Sequence, residues 1–207
     1  MWHTEVITAE AGNILRELGG QDYMRPFYLA GGTALALHLG HRKSVDLDFF
    51  TEQLFDEDAL LSKVQFLPDF SLVAKDPHTL HCHIQRVKVS FIAYAYPVLA
   101  PFMKLSGVSV ADPIDIGCMK ISAIASRGAK RDFIDLYMMA RSEGLSTLLQ
   151  HFQKKFAQAN YNLVHVLKSL VYFADAEKDP MPDTLMPLSW NDVKRFFRNE
   201  VPRIKIT

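Results

Sequence analysis

The sequence predicts an α+β protein: a small mixed β-sheet flanked by helices, followed by a C-terminal helical subdomain. Short extended runs fall in the first half, at Phe27–Ala30, Val45–Phe50, Phe70–Ala74 and His81–Ala93. Helical periodicity fills the second half from Ile114 onward. Between the halves, Pro97 and Pro101 end the extended region and Asp112-Pro113 opens a helix. These observations predict an α/β core over residues 1–107 and a helical subdomain over 108–207 that completes the cleft.

The elements follow in order. Ala11, Ile14, Leu15 and Leu18 lie at helical spacing, and the helix stops at Gly19-Gly20. Phe27–Ala30 reads as a buried strand, and Thr33 is the expected cap of a helix ending at Leu39. Val45–Phe50 alternates with period two, and Asp56 caps a helix reaching Val64. Phe70–Ala74 and His81–Ala93 make two or three further strands, with turn chemistry at Asp76-Pro77. Helices are expected over Ile114–Ser126, broken by Gly128, and Arg131–Arg141, then within Leu145–Ala174 and over Asn191–Glu200. Phe102–Leu105 is expected in the core, and Trp190, Phe196 and Phe197 are expected to pack the terminal helix.

With 207 residues, 49% hydrophobic and 22% charged, the chain can bury a sizeable core, which excludes wholesale disorder. The 23 basic and 23 acidic residues balance, so no whole-body attraction to nucleic acid is expected, although a local basic patch is compatible. Two unpaired cysteines, Cys82 and Cys118, argue against a disulfide partner and for a reducing cytoplasm. The opening residues lack a secretory pattern, and Phe91–Met103, interrupted by two prolines, falls short of the ~18 apolar residues of a membrane span.

Chemistry concentrates in the first half. A strand that ends in Gly31-Gly32 and enters a helix presents free backbone N–H groups to an anion, and glycine lets a phosphate approach closely. The Gly40–Ser44 stretch does not have the order of a P-loop. Asp46 and Asp48, at i and i+2 of a strand, project to one face. Two neighbouring carboxylates repel, and a hard cation such as Mg²⁺, sharing its shell with phosphates and water, relieves that repulsion. The other reading is a solvated edge strand with two acids on its wet side. His78, His81, Cys82 and His83 have no zinc-module spacing and read as a polar edge or hairpin.

Tyr28–Leu37 together with His41-Arg42-x-Ser44-x-Asp46-Leu47-Asp48-Phe49-Phe50 resembles the AbiEii/AbiGii toxin family, within the DNA polymerase β-like nucleotidyltransferases. Asp115–Leu136, containing Lys120 and Arg127-Gly-Ala-Lys-Arg-Asp-x-x-Asp-Leu136, is similar to that family's later motifs. The resemblance implies a nucleotidyltransferase fold and transfer of an NMP from an NTP to an acceptor hydroxyl, with Mg²⁺ or Mn²⁺ held by Asp46 and Asp48. It implies nucleotide binding by Gly31, Gly32, Thr33, Arg42, Ser44, Lys120, Arg127 and Arg131. Lys120 and Asp135 join the two strand acids as catalytic residues. An RNA such as tRNA as acceptor, and a separately encoded antitoxin as partner, are implied likewise.

Lys120 and Arg127 are two helical turns apart and share a face, while Asp132 and Asp135 can orient these cations or approach the metal. Lys130 and Asp132 read equally as a structural salt-bridged pair, and Asp132 as a cap. Lys120, among Met119, Ile121 and Ile124, requires a specific partner. One departure stands out. Related polymerase β-like enzymes often carry a third carboxylate on an adjacent strand, yet no Asp or Glu occurs between Asp76 and Asp112, and Ser90 occupies the corresponding place. Asp132 or Asp135 replaces it, the acceptor is activated differently, or the protein binds nucleotide without transferring it.

Overall fold

The computed structural model describes residues 1–205 and divides into two compact units, residues 1–112 and 113–207. The helices and strands counted below are those among the described residues.

The first unit contains α1 (Ala9–Gly19), β1 (Tyr28–Ala30), α2 (Gly31–Leu39), β2 (Leu47–Thr51) and α3 (Glu57–Val64). It continues with β3 (Ser71–Asp76), β4 (Thr79–Ile84), β5 (Val87–Ala93), β6 (Met103–Leu105) and β7 (Val108–Val110). The seven strands form one mixed sheet in the order β3-β4-β5-β2-β1-β7-β6. β2 runs parallel to β5 and β1 parallel to β7, and the other pairs are antiparallel.

Local chemistry explains the helix starts. Thr8 caps α1 by accepting the Ala11 N–H at 3.2 Å, and Asp56 caps α3 by accepting from Asp58 and Ala59. Thr33 does not cap α2: that helix starts two residues earlier, at Gly31, with Ala30 at the cap position. Gly31, at φ +71, turns the chain out of β1 in a backbone region costly for other residues. The β6–β7 hairpin is the element that the proline-bounded region did not foretell, and it keeps Val108–Val110 with the sheet.

One face of the sheet is apolar. Leu47, Phe49, Leu80, Cys82, Val89 and Phe91 are fully buried, and the rings of Phe49 and Phe91 stack at 5.4 Å. α2 packs on β1 and β2, α1 on β7, and α3 on β4. His38, at the end of α2, bonds through Nε2 to the Ala111 carbonyl at 2.9 Å. Burial holds its pKa below the ordinary value, against the opposing effects of that bond and of Asp112. Phe102 differs from expectation. It is 41% exposed and stacks on Tyr28 at 4.8 Å, just before the edge strand β6.

The second unit is helical, with α4 (Pro113–Ser126), α5 (Lys130–Glu143), α6 (Leu145–Lys155), α7 (Leu163–Ser169) and α8 (Trp190–Glu200). α4 is central and packs against α5, α6 and α7, while α8 packs on α5. Phe133 collects Phe173, Trp190 and Phe197 at ring separations of 5.1, 5.9 and 5.5 Å. Lys155 and Asp115 pair at 2.7 Å, both fully buried. Cys82 and Cys118 are free and buried, and burial pushes each thiol up to about 12.

α1 ends against the β6–β7 turn with no room for a side chain: a Cβ at Gly19 would stand 1.9 Å from the Ser106 carbonyl oxygen. Gly19→Ala is expected to destabilise the protein by about 2 kcal/mol or more, because main chain must shift to accept it. Urea unfolding measures this, and a midpoint unchanged from wild type would refute the tight approach.

Candidate active site

The geometry starts from strand register. Ala30 of β1 lies opposite Asp48 of β2, and Asp48 lies beside Ser90 of β5. The alternation of half-buried Asp46, buried Leu47, half-buried Asp48 and buried Phe49 puts both acids on the wetter side. A Cβ on Gly31 would come 3.3 Å from Oδ2 of Asp48, so this carboxylate lies against bare main chain at the start of α2. A strand acid therefore borders the amino end of a nine-residue helix, where backbone N–H groups favour an anion.

The segment carrying Asp46 is tied from behind. The Thr33 hydroxyl, 3% exposed, bonds to Ser44 Oγ at 2.7 Å and donates to the Asp46 carbonyl oxygen. Thr33 and Ser44 thus position Asp46, and their two hydroxyls are engaged with each other. Arg42 is 5% exposed and donates to the Lys43 carbonyl at 3.0 Å.

Asp46 and Asp48 supply two hard oxygen donors. No group of three or more His, Cys, Asp or Glu that could hold a metal forms among the described residues. That donor set fits Mg²⁺ or Mn²⁺, which draws its remaining ligands from phosphate and water, and does not fit a closed zinc site.

The second unit carries a buried charge cluster. Lys120 Nζ lies 2.9 Å from Asp132 and 2.6 Å from Asp135, whose side chains are both 0% exposed. Arg127 donates to Asp132 through Nε at 2.9 Å while its own side chain remains 56% exposed. The partner that an apolar-patterned Lys120 required is thus a pair of aspartates. Asp132 does not cap α5, where Ala129 holds that position. Asp135 faces Lys120 rather than solvent. Lys130 is anchored separately by Asp179 and lies 5.5 Å over the Trp190 ring, whereas Arg131 is exposed.

Burial raises the Asp132 carboxyl, but the Lys120 charge and the Arg127 hydrogen bonds outweigh it, and the net shift is downward from 3.8.

Two solved structures share the fold. MenT4, a nucleotidyltransferase toxin from Mycobacterium tuberculosis, matches at TM-score 0.54 and 17% identity, over 96% of this chain and 87% of that one. JHP933 from Helicobacter pylori matches at 0.52 and 18%, over 95% and 92%. An uncharacterised protein of Aquifex aeolicus is 39% identical over 181 residues, 84% of this chain and 86% of that protein. The family model described as nucleotidyl transferase AbiEii toxin, Type IV TA system, matches residues 13–86 and 83–204, and the chain belongs to that family. No helix among the described residues is long and apolar enough to cross a membrane.

Two predictions follow from these contacts. Gly31→Ala is expected to cost about 1–2 kcal/mol from its positive φ alone, measured by denaturant unfolding; an unaltered stability would mean that the turn relaxes freely. The Asp132 contribution to stability is fully present above its unfolded pKa, near 3.9. It is lost as pH falls through the lower folded value. Asp132→Asn should therefore be less stable than wild type at pH 7, with the gap narrowing below about pH 4. A gap that stays constant between pH 7 and pH 3 would refute the depressed carboxyl.

Proposed function

We propose that this protein is a Mg²⁺-dependent nucleotidyltransferase that moves an NMP from an NTP to an acceptor hydroxyl on RNA such as tRNA. In this reading it acts in the cytoplasm as the toxin of a toxin–antitoxin pair, with the antitoxin as its protein partner. The observation that carries the reading is the Asp48 carboxylate lying against the bare main chain of Gly31.

Asp46 and Asp48 hold the cation, and the N–H groups of Gly31 and Gly32 bind phosphate oxygens at the amino end of α2. The chemistry a divalent cation supplies at such a site is neutralisation of phosphate charge. Thr33 and Ser44 fix Asp46 from behind. Within the second unit, Asp132 holds the exposed Arg127, and Lys120 pairs with Asp132 and Asp135; the family resemblance assigns Arg127 and Lys120 to phosphate. Exposed Arg131 is assigned to phosphate by the family resemblance.

One observation favours a second reading, in which nucleotide binds but is not transferred: a serine, not an acid, stands beside Asp48 on β5.

Purified protein is incubated with each α-³²P-labelled NTP, Mg²⁺ or Mn²⁺, and total RNA. Wild type is expected to label RNA, and Asp48→Ala to lower transfer by about 100-fold or more, a loss of electrostatic stabilisation on the scale of a key site group. Nucleotide binding without label transfer selects the second reading. Equal labelling by wild type and variant rejects the proposed site.

A further inference from the structure

Attack by a hydroxyl on phosphorus requires a group that takes the proton. The proposed site assigns Asp46 and Asp48 to the cation, and no Asp or Glu lies between residues 76 and 112. The sheet register identifies a different group. Residues directly paired across strands share a face, and the row that begins with Ala30 continues through Asp48 and Ser90 to His81 of β4. Ser90 therefore stands between Asp48 on one side and an imidazole on the other.

Two features of the row are unusual. Ser90 is 2% exposed, on the face opposite its wholly apolar strand neighbours Val89 and Phe91. The Nδ1 atom of His81 is buried with no hydrogen-bond partner among the described residues. Leaving a buried polar atom unpaired is unfavourable, so it calls for a role. Cβ atoms of opposed residues in an antiparallel pair lie about 4.5–5.5 Å apart, which puts Ser90 Oγ and His81 Nδ1 within hydrogen-bond reach by side-chain rotation alone. The charged or titratable groups on the same face of the neighbouring strands are His83 on β4, Lys88 on β5, Asp76 on β3, Asp48 beyond Ser90, and Asp46 just before β2.

We infer that Ser90 and His81 form the proton-accepting pair for the acceptor hydroxyl. The inference rests on the proposed nucleotidyl transfer and deepens it. The acceptor oxygen bonds to the α-phosphorus as the bond from that phosphorus to the oxygen bridging to the β-phosphate breaks, releasing pyrophosphate. The hydroxyl proton passes to Ser90 Oγ while the Ser90 proton moves to His81 Nδ1. A serine at this place is then half of a relay, and the missing acid no longer implies missing chemistry.

The test measures label transfer against pH for wild type, His81→Gln and Ser90→Ala. Asp48→Ala is the control, and melting temperatures establish that each variant is folded. Wild-type kcat is expected to rise with pH as the proton-accepting group loses its proton. His81→Gln should be slower by roughly 100-fold and flat with pH, with KM for the NTP unchanged. Ser90→Ala, which keeps the imidazole and removes the relay, should be slowed as well. A His81→Gln enzyme that is fast, or slow with the wild-type pH profile, overturns the pair, as does a Ser90→Ala enzyme at the wild-type rate. Transfer that depends on Asp48 but ignores His81 and Ser90 sinks the pair alone. Transfer absent from wild type sinks the proposed function, and the pair falls with it.

Discussion

The antiparallel pairing of β1 with β2 is the constraint on which the candidate site depends. Because Ala30 is opposite Asp48, Leu29 is opposite Phe49 and both enter the core. The period of a strand is two, so a slip of one residue would bury the acid and expose the phenyl ring. The large apolar cost of that exchange fixes the carboxylate beside Gly31. Hydrophobic burial on one face of the sheet thereby specifies polar geometry on the other, and parallel β5 inherits the register through Leu47–Val89 and Phe49–Phe91.

The second unit solves a different problem. Lys120, Asp132 and Asp135 lie among apolar residues of α4 and α5, where an unpaired charge would be strongly unfavourable. Two aspartates and two cations balance formally, and Arg127 lets one end of the cluster reach solvent. Lys155 and Asp115 repeat the arrangement between α6 and α4 with neither group exposed. Such pairs fix how helices meet more effectively than they add to stability, because each must satisfy the other.

Much of this was legible in the sequence, for identifiable reasons. A short apolar run located β1, a period-two run β2 and extended stretches β3 to β5, while helical spacing marked α1 and the Asp56 cap marked α3. The Asp46-x-Asp48 spacing and the glycine pair could be read as a candidate site because both are local features. The β6–β7 hairpin was not legible: two three-residue strands between Pro101 and Pro113 have too few residues to show periodicity, although Ser106-Gly107 is a turn signal. The inward hydroxyl of Thr33 was hidden because its partners, Ser44 and the Asp46 carbonyl, come from a loop that only tertiary folding brings back. The Lys155–Asp115 pair spans 40 positions, beyond the reach of any helical spacing rule. His81 read as part of a polar edge because its link to Asp48 exists only through the pairing of three strands.

The burial of both thiols has a practical bearing. The thiolate is the form that alkylating reagents attack, and at neutral pH Cys82 and Cys118 scarcely supply it. The native chain is therefore close to a cysteine-free background as long as it stays folded. One cysteine introduced at an exposed position such as Arg131 would take up a fluorophore or spin probe selectively, with both native sulfurs left in place. Unfolding would release the two hidden thiols together with their core neighbours, so the count of modified sulfurs becomes a direct readout of how much of the chain has opened.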